Sequence, residues 1–261
     1  MEEVRPGFLL KYIEKKYVSD FISKGTLHFS SLGYFIDLEN TTGDNVIGDK
    51  SEGARSVNAD PENTTLTISF DGKEYEFRGK ADGVLGISYE FTDKTVREWG
   101  VLSMCNMDLF RDFEEVSYDK LTKTAKFKLK KSVGEELYRL SDGGNRVPIL
   151  IDANGLIKTM DTAFKNGKHN VRMKNVSYYA EDGKENISLE EYKKDPANIV
   201  FLKRNIYEYQ RETRIALLEP VPYEQGLNMS IGSLEKAAVD LQSHEKLMSM
   251  EFFVKVDKEE S

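Results

Sequence analysis

The sequence predicts a single α+β domain with a mixed, largely antiparallel sheet, a few flanking helices and an inserted hairpin. Predicted strands outnumber predicted helices and do not alternate regularly with them, which departs from the rhythm of a doubly wound sheet. An Asp71-Gly72 step separates two alternating runs, 66–70 and 74–77, and this is the local signature of a two-residue hairpin. With 39% hydrophobic and 11% aromatic content, a chain of 261 residues can bury one full core.

Taken in order, residues 8–13 are short and apolar and read as a strand. Val18, Phe21 and Ile22 fall on one face of a following helix, which Gly25 ends as a C-terminal cap. Extended structure resumes over 26–31, with aromatic and β-branched residues. From 39 to 61 the apolar pattern disappears and Gly, Asp, Asn, Ser and Thr dominate. That composition predicts a long loop, mobile or facing a partner. The hairpin follows within 64–78. Further strands are predicted at 85–88, 100–104, 125–129, 147–151, 171–179, 214–218 and 252–256, and helices at 132–140, 154–165 and 189–194.

Composition narrows the function. The net charge of -8, with 37 Lys and Arg interspersed among 45 acids, argues against a nucleic-acid partner, which a basic face would recognise. Cys105 is the only cysteine, so neither an intrachain disulfide nor a thiolate zinc cluster can form, and it reads as a small core residue. His28, His169 and His244 show no metal-like spacing, and no metal is expected. The opening Met1-Glu2-Glu3-Val4-Arg5 lacks a basic region leading into an apolar one, and no run approaches about 18 apolar residues. A cytoplasmic location without a membrane partner is the expectation. Homo-oligomerisation stays open.

The stretch 201–218 carries the strongest hint of a site. Glu208, Arg211, Glu212 and Arg214 lead into the apolar run 215–218, and charges entering a buried strand require partners or a ligand. Glu208, Arg211 and Arg214 are therefore expected to form a partly buried charge cluster with Glu212. On extended backbone, Gln210 and Glu212 would share one face. The carboxylate could then stabilise a developing oxocarbenium while the amide orients a nucleophile. The plainer alternative is that Glu212 pairs with Arg214 or Arg211. A second polar stretch, Gly48-Asp49-Lys50-Ser51-Glu52-Gly53, lacks the helix-opening Lys-Ser/Thr of a phosphate loop; it reads as a solvated turn or a clamp for a polar ligand or partner.

Together, Leu10-Lys11-Tyr12, Leu27-His28-Phe29-Ser30-Ser31 with Phe35 and Asp37, and Lys203 followed by 207–214 resemble an uncharacterised family of bacterial and phage proteins linked with abortive infection. Residues 147–152 and 173–179 are similar to the family's middle strands, whereas its usual Asn-Asp-Pro is replaced here by Ile36-Asp37-Leu38-Glu39-Asn40. The resemblance implies a role in phage–host conflict and a host or phage defence protein as partner. A more distant likeness to ADP-ribosyltransferases implies NAD or another nucleotide as ligand. On that likeness Tyr12, with Lys11 as the alternative, would stack on the ring, Ser30 and Ser31 would support the sugar, and Gln210 and Glu212 would be catalytic. The separation of roughly 180 residues between Ser31 and Gln210 is longer than such enzymes show. A non-catalytic inhibitor or trigger of a defence complex is the rival expectation.

Overall fold

In the computed structural model, residues 7–43, 46, 48–59, 65–70, 72–78, 87–165, 168–180 and 186–255 are described. The N-terminal part follows the apolar pattern closely. Strand β1 (Phe8–Glu14) leads into α1 (Val18–Lys24), which buries Val18 and Phe21 and ends on Gly25 at φ 59°. Strand β2 (Thr26–Ser31) runs directly into α2 (Leu32–Thr42), because the Ser31 hydroxyl accepts from Tyr34 N and caps the new helix. Then come β3 (Arg55–Ala59), the hairpin β4 (Thr65–Phe70) and β5 (Lys73–Arg78), and β6 (Ile87–Phe91). The hairpin pairs Phe70 with Lys73, as the Asp-Gly step predicts; the predicted residues 85–86 lie outside the described ones.

The central region holds α3 (Lys94–Glu98), β7 (Trp99–Met107), α4 (Leu109–Asp112), β8 (Phe113–Asp119), β9 (Thr124–Leu129), α5 (Lys131–Tyr138), β10 (Arg146–Asp152) and α6 (Ala153–Phe164). The last third holds β11 (Val171–Asn175), β12 (Ser177–Tyr179), α7 (Leu189–Lys194), β13 (Leu202–Arg204), β14 (Glu212–Pro220), β15 (Leu227–Ser230), β16 (Ala238–Asp240), α8 (His244–Ser249) and β17 (Glu251–Lys255). The fold is α+β, with its main sheet antiparallel at every pairing. Among the described residues no helix is long and apolar enough to cross a membrane.

The eight-stranded sheet turns on β7. One edge of β7 pairs with β14 along nearly its whole length; the other is shared, with β1 taking Cys105–Met107 and β2 taking Gly100 and Val101. The sheet therefore forks into a β1-β10-β16 arm and a β2-β15 arm. At the fork, Lys11 Nζ donates to the Ser103 carbonyl at 2.7 Å and satisfies a group that neither arm reaches. Alternation divides the two faces. Leu9, Phe29, Leu102, Ile215 and Leu217 pack with α1 and α6 on one face. On the other, one apolar cluster gathers Leu10, Tyr12, Cys105 and Met107 under the β17-β9-β8 sheet, and another gathers Val101, Ala216, Leu32 and Ile199.

Two expectations change. The predicted strand 171–179 breaks at Val176, and β12 leaves the main sheet to pair in parallel with β13. The stretch 39–61 is not a uniformly solvated loop: 39–42 complete α2, Asp49 and residues 51–56 are buried, and β3 starts at Arg55. Its polar residues are buried because cations elsewhere in the chain receive them. Gly53 sits at φ +61° with its missing Cβ 2.4 Å from Leu32 Cδ2 and 3.0 Å from Val96 Cγ1, whereas Gly43, at φ +71°, faces open space. Gly53→Ala is expected to destabilise by about 3 kcal/mol through backbone strain plus overpacking, and Gly43→Ala by about 1 kcal/mol through strain alone. Denaturant melts of the two variants measure the difference, and equal losses would mean that 48–54 does not pack as described.

Candidate functional site

Between the two apolar clusters on that second face lies a network of charges. Strand β14 presents Glu212 and Arg214 to this face by its two-residue period, and the polypeptide just before it brings in Lys203, Arg204, Tyr207 and Gln210. Lys203 Nζ donates to Gln210 Oε1 and Glu212 Oε2, both at 2.9 Å, and lies 3.8 Å from Glu52 Oε2. Arg214 Nε donates to Glu212 Oε1 at 2.5 Å, its Nη1 to the Val200 carbonyl at 2.5 Å, and its Nη2 lies 2.6 Å from Glu52 Oε1. The Ser103 hydroxyl also donates to Glu212 Oε1. Two cations and two carboxylates thus close a ring whose side chains are at most 4% exposed.

A second layer extends from the ring towards α2. Arg204 donates through Nε to Asp49 Oδ1 at 2.7 Å and through Nη2 to Glu39 Oε2 at 2.6 Å. The Tyr207 hydroxyl donates to the Gly48 carbonyl at 2.9 Å, and Gln210 Nε2 donates to the Val46 carbonyl at 2.8 Å. Every one of these contacts ties the 39–53 stretch to 202–214. Glu39, Asp49 and Glu52 come from one segment, and Glu212 with the cations Lys203, Arg204 and Arg214 from the other.

Burial alone would raise the Glu212 carboxyl, but the Arg214 guanidinium and Lys203 ammonium outweigh it and hold it well below the ordinary carboxylate range. For Lys203 burial pulls the other way, and Glu212 and Glu52 reverse it, keeping the ammonium charged. Glu52 is the weaker acid of the ring. Burial raises its carboxyl, Arg214 and Lys203 offset this only in part, and Asp49 and Glu212 push it further up. Glu212 has, besides a shorter contact to Lys203, the hydrogen bonds of Arg214 and Ser103. Burial likewise pushes the Cys105 thiol up to about 12, which suits a core residue. The Lys11 amine is lowered by burial to about 8.

The residues singled out in the sequence go to different places. Gln210 and Glu212 do meet, on Lys203, but not through an extended step. Gln210 closes a 3-10 turn and Arg211 takes φ +47°, so a left-handed residue turns the two side chains to one point. Glu212 takes Arg214 as its partner, the plainer of the alternatives above. Arg211 belongs instead to a separate node, donating through Nε to the buried Asp112 at 2.9 Å and through Nη2 to Glu136 at 2.6 Å. Glu208 stands exposed, outside the cluster expected of it. Tyr12 is buried under α8 and α5, with its hydroxyl 2.8 Å from His244 Nδ1. Ser30 pairs with Val101, and Ser31 caps α2.

Ser31 and Glu212 do not share a cleft. Ser31 lies opposite Gly100 and Glu212 opposite Cys105, five positions apart along β7 and hence roughly 16 Å apart at the usual strand rise. Period-two alternation also sends them to opposite faces, Ser31 with Phe29 and Glu212 with Arg214. Asp49, Glu52 and Glu39 are the members that a reading of local pattern left out of the site. The acids bounded by Gly48 and Gly53 were the available signal. Among the described residues no group of His, Cys, Asp and Glu could hold a metal ion.

Compared with protein-family models, curated proteins and solved structures, the chain matches none. The geometry therefore stands by itself.

Removing Arg214 would strand two buried carboxylates. Arg214→Ala is expected to cost about 3–5 kcal/mol, while Glu208→Ala in solvent stays within about 0.5 kcal/mol. Thermal and denaturant melts of both variants check this contrast.

The ring also sets an acid response. Glu212 binds its proton more weakly folded than unfolded, so its contribution is complete above its ordinary value of 4.5 and is lost as pH falls towards the folded value. Glu52 works in the opposite sense, its ionisation costing stability as pH rises through 4.5. Glu212→Gln is expected to be less stable than the parent at pH about 6 and to lose less on acidification to pH about 3. Melting temperature followed against pH measures it, and parallel curves would show that Glu212 is not held ionised by its neighbours.

Proposed function

We propose that the chain acts as a non-catalytic binding protein in phage–host conflict, engaging a defence protein through its surface. The observation that carries this reading is the saturation of Glu212. One carboxylate oxygen accepts from Ser103 and Arg214, the other from Lys203, and the backbone N–H donates to the Tyr178 hydroxyl at 2.7 Å. A carboxylate that stabilises a sugar cation must face substrate; this one faces its own chain.

The separation of Tyr12, Ser31 and Glu212 supports the same reading, since one nucleotide sugar must touch its binding and catalytic groups within hydrogen-bond reach. The likeness to proteins linked with abortive infection supplies the setting, and the ionic network supplies a rigid frame that presents the outer strands.

The test sets catalysis against binding in the intact protein. Calorimetry with NAD is expected to give no binding heat, and labelled NAD no transfer of ADP-ribose to protein or nucleic acid. Saturable NAD binding with turnover that Glu212→Gln abolishes would overturn the proposal, because that substitution keeps the shape and removes only the charge.

A further inference from the structure

The three-stranded β17-β9-β8 sheet has one side of its charge satisfied and one side left open. Lys126 and Lys128 of the middle strand both reach Glu251 of β17, at 2.8 and 3.1 Å. Glu114 of β8, directly opposite Lys128 in register, forms no ion pair among the described residues, and neither does Glu115. Beyond Phe113 every residue of β8 is exposed, and β8 has no neighbour on its outer side among the described strands. An edge strand so placed offers its unpaired backbone N–H and C=O groups to another chain.

The edge is also unusually apolar between its acids. Val116 is 50% exposed, Tyr118 51%, and Leu121 at the hairpin turn 96%; Phe110, just before β8, is 81% exposed although its ring edge reaches Phe127. Large side chains this exposed on one protrusion are the usual mark of an interaction site. The register shift between Glu115 and Ser117 interrupts the edge, and the adjacent carboxylates repel an acidic strand, so pairing there requires a partner whose charge offsets theirs. A second copy of this chain, with net charge -8, would meet acid with acid. The carboxylates that disfavour self-pairing favour a basic partner.

We propose that the outer edge of β8 docks an extended, basic, partly apolar segment of another protein by strand addition. Main-chain hydrogen bonds extend the sheet, while Lys or Arg side chains of the partner meet Glu114 on one face and Glu115 on the other, and apolar ones cover Val116 and Tyr118. The inference rests on the binding reading above and locates its surface.

The test uses the intact protein and a short labelled peptide of Lys-Lys-Val-Val repeats, which offers lysine to both faces of the sheet, followed by fluorescence anisotropy and amide hydrogen exchange. Saturable binding is expected, weakening with added salt, with new amide protection confined to β8. Glu114→Lys combined with Glu115→Lys is expected to weaken it about tenfold or more at an unchanged melting temperature, both positions being solvated. A lysine peptide with proline replacing valine keeps the charge, lacks half the backbone donors and is expected not to bind. Equal binding of the proline peptide, an unchanged affinity in the reversed variant, protection away from β8, or self-association mapped to this edge would each overturn the proposal. The NAD experiments test the non-catalytic reading separately: their failure would leave the β8 result standing as a docking surface on an enzyme, and a silent β8 edge would leave the non-catalytic reading without this surface.

Discussion

The bridge between Glu212 and Arg214 is the constraint on which the rest of the second sheet face depends. Two charges two residues apart on one buried strand carry a desolvation cost of several kcal/mol each, and their mutual attraction offsets it only if the remaining donors and acceptors are also met. Lys203, Ser103, Glu52 and the Val200 carbonyl meet them. The supporting groups come from three parts of the chain, so the bridge fixes the positions of β7, of the 200–203 stretch that leads into β13, and of the 48–53 segment together. That segment supplies the network with carboxylates, and apart from Ala54 and Gly53 it has little apolar surface to hold it in place.

The charges also explain why the core is divided. One sheet face carries a continuous apolar layer, while the other carries two apolar clusters with the ring between them. A buried ion network has demanding geometry, because a partner removed leaves a charge uncompensated, whereas an apolar contact tolerates repacking. The result is a central plate in which alternative registers of β14 are disfavoured: a one-residue slip would send Arg214 to the face occupied by Ile215 and Leu217.

Much of this architecture was legible in the sequence, for reasons that differ from element to element. The hairpin, the early strands and α6 followed from periodicity and turn residues. Helix α7 was found at its observed bounds, where Ser188 and Glu191 form a capping box. Strand β8 was missed because beyond Phe113 it buries neither face, so no alternation exists to read. Helix α2 was hidden by a capping serine that also ends a strand. Convergence of Gln210 and Glu212 was anticipated from the wrong backbone, the strand period standing in for a left-handed turn at Arg211. The acids at 39, 49 and 52 were unreadable as core for a physical reason: polar loop composition signals solvation unless cations elsewhere receive the charge, and a local pattern holds no record of a partner more than 150 residues away.

That long-range pairing bears on where function can reside. A residue type suited to chemistry is recruited to stability whenever its valences are filled by its own chain, and Glu212, Gln210 and Lys203 fill one another. Opening the ring to substrate would require withdrawing Glu52 and Asp49, leaving Lys203 and Arg214 to share Glu212 and Arg204 with Glu39 alone, a buried excess of positive charge that an anionic ligand would have to offset. The outer strand is under no such constraint. Its carboxylates are exposed, its edge has no neighbour among the described strands, and a partner docking there as proposed would need no rearrangement of the ionic frame behind it. A tightly paired interior and an unpaired outer strand are therefore compatible demands on one sequence, and the proposed reading assigns recognition to the second of them.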